Sequence, residues 1–330
     1  MAATSAGRDN VAPQPAPRIG SLEGGRKRPA LFLASARESL YTAAMRALPV
    51  LAVLCAFAAH AENSVKDPGA PWPTFVDLSR ATAMGGAGAA IATSNDALTI
   101  NPAGLAQVRR YHLEVDGVYD SRYPAQGLMV SVADSISTTP VATGLLFSRW
   151  GSGQPGGRGE GWYGGIAYAY AVGSFYVGGM TKYLRFATPD GEAHRFAQDV
   201  GLLAHRGNFA YAIAFQNLAT SSIPLFPITS TAAVAWGTDS DWHLAIDYKA
   251  DLSDLKNVKS RVAAGVELLV DQALAVRGGA TWDASARIWW ASLGLGILTE
   301  KGGVQFVWRR RVAGDGFDQL FEAGITVYLE

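Results

Sequence analysis

Charge is scarce in this sequence. Only 17 % of its 330 residues are Asp, Glu, Lys or Arg, against roughly a quarter in an average soluble domain. Cysteine is scarcer: Cys55 is the single one, so no disulfide framework can form. It lies in a stretch expected to be removed, which takes thiolate metal sites and cysteine nucleophiles with it. Leu54 stands just before it, where lipid attachment wants a small residue. Beyond the N-terminal region no run approaches the ~20 apolar residues of a membrane-spanning helix. There is no Gly-x-Ser-x-Gly elbow and no His-x-x-x-His pair, and His60, His112, His194, His205 and His243 are scattered. Gly86-Ala87-Gly88 follows no strand and has Ile91 at the third glycine position, and the Gly-rich 153–159 lacks the Lys-Ser/Thr of a phosphate loop. No catalytic residue, metal or cofactor is expected. A lipase built into a barrel would need Ser and His together near one rim, which spacing alone leaves open.

What remains is apolar and small: 49 % hydrophobic residues, 37 Gly and 9 Trp. Few charges, many glycines and aromatics, and no long apolar run suit a transmembrane β-barrel.

The N-terminus is separate. Met45 to Ala61 holds one Arg (Arg46), an apolar core from Leu48 to Ala59, and the small-x-small site Ala59-His60-Ala61. That is the pattern of a secretory signal cleaved before Glu62, and it is too short to span a membrane comfortably. Residues 1–44, with Pro13, Pro15, Pro17 and Arg26-Lys27-Arg28, read as a disordered extension or as sequence ahead of a true start at Met45. Residues 1–61 hold seven basic and three acidic residues of the 28 of each sign, so the rest keeps 21 and 25, net −4. A nucleic-acid partner would need a basic face.

From Tyr111 the sequence alternates. Tyr111, Leu113, Val115 and Tyr119 enclose His112, Glu114 and Asp116. Phe209, Tyr211, Ile213 and Phe215 enclose alanines. Trp242, Leu244, Ile246 and Tyr248 enclose His243, Ala245 and Asp247. Val304, Phe306 and Trp308 enclose Gln305 and Arg309. Period two with one apolar face is a strand signal. In a sandwich that face would meet a second sheet; in a membrane barrel it meets lipid. Small residues on the other face favour the barrel, as do aromatics near strand ends: Trp150, Trp162, Tyr183, Trp236, Trp242, Tyr248, Trp282, Trp289 and Trp308. About fourteen segments can be counted, an even number as bacterial barrels require. Connections such as Gly207-Asn208 and Asp239-Ser240 are short. Those at 151–160, 188–193, 219–228, 252–258 and 314–319 are longer, the periplasmic-turn and extracellular-loop asymmetry of an outer-membrane protein. The expected fold is thus an all-β transmembrane antiparallel barrel of about fourteen strands over 110–330, in the Gram-negative outer membrane, with membrane lipid as its surroundings.

By parity Glu114, Asp116, Asp199, Asp247, Lys249, Arg261, Glu267, Arg277, Arg309 and Arg311 face the lumen. They would form a polar path or a plug-locking network, or pair between neighbouring strands, for example Asp247 or Lys249 with Arg261 and Glu267; charges away from bulk water are expected to pair.

Ahead of the barrel stands SRATAMGGAGAAIATSNDALTINPAGLA. Asn101 suits a helix N-cap and Pro102 the first helical position. This stretch resembles the N-terminal hatch of the FadL-type outer-membrane transport proteins, including PorV-like members. The resemblance rests on Gly85, Gly86 and Gly88, on Ala92 to Asp96 with Asn95 and Asp96, and on Asn101, Pro102 and Ala103. It implies a fourteen-stranded barrel occluded by an N-terminal plug at 62–109, and transport of hydrophobic compounds such as long-chain fatty acids. The short loops depart from the fatty-acid transporters, and PorV-like members serve protein secretion. Three readings therefore stand: passage of a hydrophobic small molecule, partnership with a secretion-system protein, and a structural barrel without cargo. The first expects an apolar pocket between plug and wall. The second expects an exposed apolar patch on the outer loops, around Ile223-Pro224-Leu225-Phe226-Pro227-Ile228, which could equally line the mouth.

Overall fold

The computed structural model describes residues 77–329 apart from 122–124, 139, 152–159, 189–190, 220–225, 239 and 315–317. The expected extension at 1–44, signal at 45–61 and first part of the plug at 62–76 lie outside the described residues, as do Ile223 to Leu225 of the apolar loop.

Fourteen strands follow one another: β1 (Tyr111–Asp120), β2 (Ala125–Asp134), β3 (Val141–Gly151), β4 (Gly161–Val172), β5 (Phe175–Thr188), β6 (Gly191–Arg206), β7 (Phe209–Leu218), β8 (Thr229–Thr238), β9 (Trp242–Asp251), β10 (Lys259–Val270), β11 (Leu274–Asp283), β12 (Ile288–Thr299), β13 (Gly302–Ala313) and β14 (Gln319–Leu329). Each pairs antiparallel with the next, and β1 pairs with β14, so the sheet closes on itself. Val115 sets the register on both sides of the seam, opposite Val130 on β2 and Ile325 on β14.

The period-two pattern explains the closure. Outward positions carry the large apolar side chains: Ile166 is 62 % exposed, Leu202 51 %, Leu293 58 % and Phe306 52 %. The residues between them point inward and are small or polar, as in β7, where Ala210, Ala212 and Ala214 are buried between exposed Phe209, Tyr211, Ile213 and Phe215. An apolar outer wall without free edges is what a lipid bilayer demands, because no backbone group is left without a partner. Among the described residues no helix is long and apolar enough to cross a membrane; the strands do so.

The connections alternate between the two ends. Turns of two residues join β4 to β5, β6 to β7 and β12 to β13 at one rim, while β3 to β4, β7 to β8 and β9 to β10 are joined by longer connections at the other. One expected loop is absent: the stretch 188–193 is strand almost throughout, paired down to Thr188 opposite Gly191. An ion pair between Arg185 and Glu192 (2.6 Å) and a bond between the Tyr183 hydroxyl and His194 (2.6 Å) extend the ladder past its neighbours. Aromatics gather at both rims: Trp162 lies 5.6 Å from Tyr183, Trp282 5.1 Å from Trp289, and Trp236 4.7 Å from Trp242 between ring centroids. Trp150 does not belong with them. It shares the inward parity of Leu146 and Ser148 and is only 2 % exposed.

Candidate functional site

The lumen is occupied by the chain that precedes β1. Helix α1 (Ser79–Ala83) leads into a turn in which Gly85 and Gly86 take φ of 73° and 84°. The Gly86 N–H then bonds to the Ala81 carbonyl (2.8 Å) and that of Gly85 to Thr82 (3.1 Å), the closing pattern of a glycine-capped helix. Two 3-10 turns follow, Ser94–Leu98 and Pro102–Ala106. Asn101 caps the second: its side-chain oxygen accepts from the Ala103 N–H (3.2 Å), and its amide donates to the Ala89 carbonyl (2.9 Å) and to Leu202 on β6 (3.4 Å). α1 packs on β11–β14, the Ser94 turn on β1–β3, and the Pro102 turn on β3–β6. The wall makes room with glycine. A Cβ on Gly279 would come within 2.2 Å of the Met84 carbonyl carbon and 2.3 Å of the Gly85 nitrogen, so only glycine fits there.

One side of the lumen is charged. Arg80, on α1, donates through Nε and Nη2 to both oxygens of Glu267 on β10 (2.9 and 2.7 Å), and through Nη1 to Asp96 and the Ile91 carbonyl (both 3.1 Å). Glu267 also accepts from Arg277 on β11 (2.5 Å), and His243 lies 3.4 Å away. Arg277 continues to Gln305 (2.6 Å), and Gln305 to Glu114 (3.4 Å). Burial works against the charge on Arg80, but Glu267 and then Asp96 outweigh it, so the guanidinium is held more firmly protonated than a free one. Burial pushes the Asp96 carboxyl upward against the pull of Arg80. Bidentate geometry is what makes an Arg–carboxylate pair strong and directional.

Two further lumen carboxylates, Asp116 and Asp247, meet the inner segment, while other lumen charges pair within the wall. Asp116 accepts from the Ser79 N–H (3.3 Å) and from its hydroxyl. Asp247 accepts from the N–H groups of Gly88 (3.0 Å) and Ala89 (2.9 Å), and Lys249 donates to Gln216 (2.7 Å). Backbone N–H groups left over beside the wall are ready donors to a carboxylate. Lys249, Arg261, Asp247 and Asp77 line a small polar cleft with Gly86, Ile100 and Thr231. Arg309 donates to Thr281 (3.2 Å) and lies over Trp290, and Arg311 pairs with Asp318. Asp199 pairs with Lys182 at 2.8 Å. Asn95 donates to the Ser131 hydroxyl (2.9 Å).

Apart from the Lys182–Asp199 pair on β5 and β6, the opposite side is mainly apolar. Leu98 and Leu105 of the inner segment pack against Leu146, Met180 and Leu184, and this cluster continues to the loop-side mouth through Trp150, Tyr163, Phe186 and Phe226. Phe226 is 4 % exposed and Pro227 is buried, so the described end of the apolar loop faces into the mouth.

Ser94 and His112 do come together: the Ser94 hydroxyl contacts His112 Nδ1, and Ser94 has φ of 52°. The other ring nitrogen, Nε2, is buried with no partner among the described residues, so no carboxylate orients the ring as an activated serine requires. Arg80, Ser79, Gln305, Trp150, Tyr163 and Phe226 were not singled out from sequence as lumen residues. For Arg80 the signal was there: it is the one cation between Ser79 and Val108.

No family model and no curated protein matches the sequence. Solved structures do. The monoaromatic hydrocarbon channel CymD is 13 % identical with a TM-score of 0.56, covering 77 % of this chain and 98 % of its own. The Ralstonia pickettii toluene transporter TbuX is 13 % identical with a TM-score of 0.57, over 77 % and 98 %. The Pseudomonas putida toluene transporter TodX is 12 % identical with a TM-score of 0.55, over 78 % and 99 %. At these identities the likeness is one of fold: the chain is a closed fourteen-stranded membrane barrel similar in architecture to these channels, and that architecture fits the FadL-type resemblance of its N-terminal motif.

Proposed function

We propose that this chain is a FadL-type channel of the Gram-negative outer membrane that passes hydrophobic small molecules, with 62–109 as its plug and export through the 45–61 signal. One observation carries the reading: the segment filling the lumen is tied by charge to one half of the wall and leaves an apolar face, Leu98 and Leu105, against the other. Such a split leaves an apolar packing seam between plug and wall, the side on which a hydrophobic cargo would move. That proteins of similar fold are described as toluene transporters and a hydrocarbon channel supports counting small aromatics beside long-chain fatty acids as cargo in this reading. No residue acts as a catalyst in this function. A secretion partner would want the apolar outer loop exposed, whereas Phe226 and Pro227 are buried.

The test is uptake. The chain is expressed in a Gram-negative host lacking its own hydrophobic-compound channels, and entry of radiolabelled toluene and of a long-chain fatty acid is followed. Faster entry of either than with an unrelated barrel of equal abundance is expected. Equal rates for both would overturn the proposal.

A further inference from the structure

Three buried rings close the apolar side of the mouth. Phe226 lies 5.5 Å from Trp150 and 5.9 Å from Tyr163 between centroids, edge-on to the latter, and Trp150 and Tyr163 are 6.2 Å apart. Trp150 and Tyr163 project inward from adjacent strands β3 and β4, whereas Phe226 comes from the connection between β7 and β8, so its ring is a visitor in a seat the wall provides. Its approach is fixed by polar groups. Asn217, at φ of 58°, donates its amide to the Pro227 carbonyl (2.9 Å) and its N–H to Asp199 (2.8 Å), and Lys182 holds both Asn217 (2.6 Å) and Asp199 (2.8 Å). A network of this kind, buried beside an apolar path, positions a side chain rather than a charge. Below the rings the cluster runs on through Leu184, Met180 and Leu98 to the inner segment.

We propose that Trp150 and Tyr163 form an aromatic-cargo subsite whose occupant in the closed state is the Phe226 ring, so that Phe226 and its seat set the channel's preference for flat, single-ring hydrophobes over long alkyl chains. The inference rests on the transport reading above and adds the cargo class to it. Ring pairs at these separations favour edge and offset contacts that a flexible alkyl chain cannot reproduce. A cargo ring entering the seat recovers the contacts that Phe226 gives up, whereas an alkyl chain does not.

The test measures flux of toluene and of a long-chain fatty acid, in the same cells, through wild type, Phe226→Ala, Tyr163→Leu and Tyr163→Phe. Phe226→Ala is expected to raise toluene flux, since the seat is left vacant. Tyr163→Leu keeps apolar bulk but removes a ring, and is expected to lower toluene flux about two- to tenfold, the worth of one ring contact, with fatty-acid flux unchanged. Tyr163→Phe keeps the ring and should restore the preference for toluene over the fatty acid that Tyr163→Leu loses, which separates loss of the seat from misfolding. Equal changes for both cargoes in Tyr163→Leu, or a Phe226→Ala flux equal to wild type, would overturn the inference while leaving transport standing. Flux of neither cargo through wild type would overturn both.

Discussion

Arg80 ties the inner segment both to the wall and to itself. It joins the inner segment to Glu267 and, within the segment, α1 to Asp96 and Ile91. Removing one partner of a buried ion pair leaves the other uncompensated, at a cost of about 3–5 kcal/mol. Arg80→Gln should therefore loosen the segment while the strand ladder persists, which planar-bilayer conductance would register as longer openings than wild type shows; unchanged closure would mean that the pair is not an anchor. The inward set, Glu114, Asp116, Asp247, Glu267, Arg277 and Arg309, was legible because strand parity is strict in a two-sided wall. Some partners stand on the neighbouring strand, as Arg277 does for Glu267, and others do not. Asp247 bonds to backbone N–H groups of Gly88 and Ala89, about 160 residues away in sequence, and no pattern along a strand encodes which segment will lie opposite it. Trp150 failed for a related reason: an aromatic near a strand end reads as interfacial unless its neighbours' parity is counted.

At the scale of elements, the strands emerged from alternation nearly whole, and the exception is instructive. The ends of β5 and β6, at Thr188 and Gly191, stand beyond the apolar band, where no lipid requires alternate residues to be apolar. The periodic signal fades there although the ladder continues. The inner segment was legible at its caps, where Asn101 and Pro102 start a turn as their chemistry requires, but its fit to the wall was not. That fit depends on small residues of β11 facing α1. Gly279→Ala would drive a methyl group into the Met84–Gly85 peptide, an overpacking typically worth about 1–3 kcal/mol. Faster hydrogen exchange across 79–106 with β11 still protected is expected; unchanged exchange would show that the segment can shift aside freely.

For the whole molecule, the closed sheet and its contents are separable in kind. Every strand is paired on both sides, so the wall does not depend on the segment for its hydrogen bonds. Deletion of 62–109 behind an intact signal should leave a barrel that resists unfolding in detergent and conducts small ions steadily, since the side chains that remain at the lumen's centre are mostly alanine, glycine and polar groups. A collapsed or unfolded product would mean that the contents are part of the core. Fold class and strand count were open to sequence because lipid imposes one rule on every strand. The inward rings Trp150, Tyr163 and Phe226 were not, because no such rule acts on the lumen face.

α1 sits over the seam where the first and last strands meet. Ser79 bonds to Asp116 on β1, and its hydroxyl would crowd any side chain at Gly324, the β14 residue directly across from Asp116. That pairing joins the two ends of the strand sequence and has the largest loop to close, so it is the costliest contact to form in the assembling chain. A helix that reaches both sides of it works as an internal clasp. The stretch that lies inside the finished cylinder would then double as an assembly aid, holding the two terminal strands in register while the cylinder is sealed.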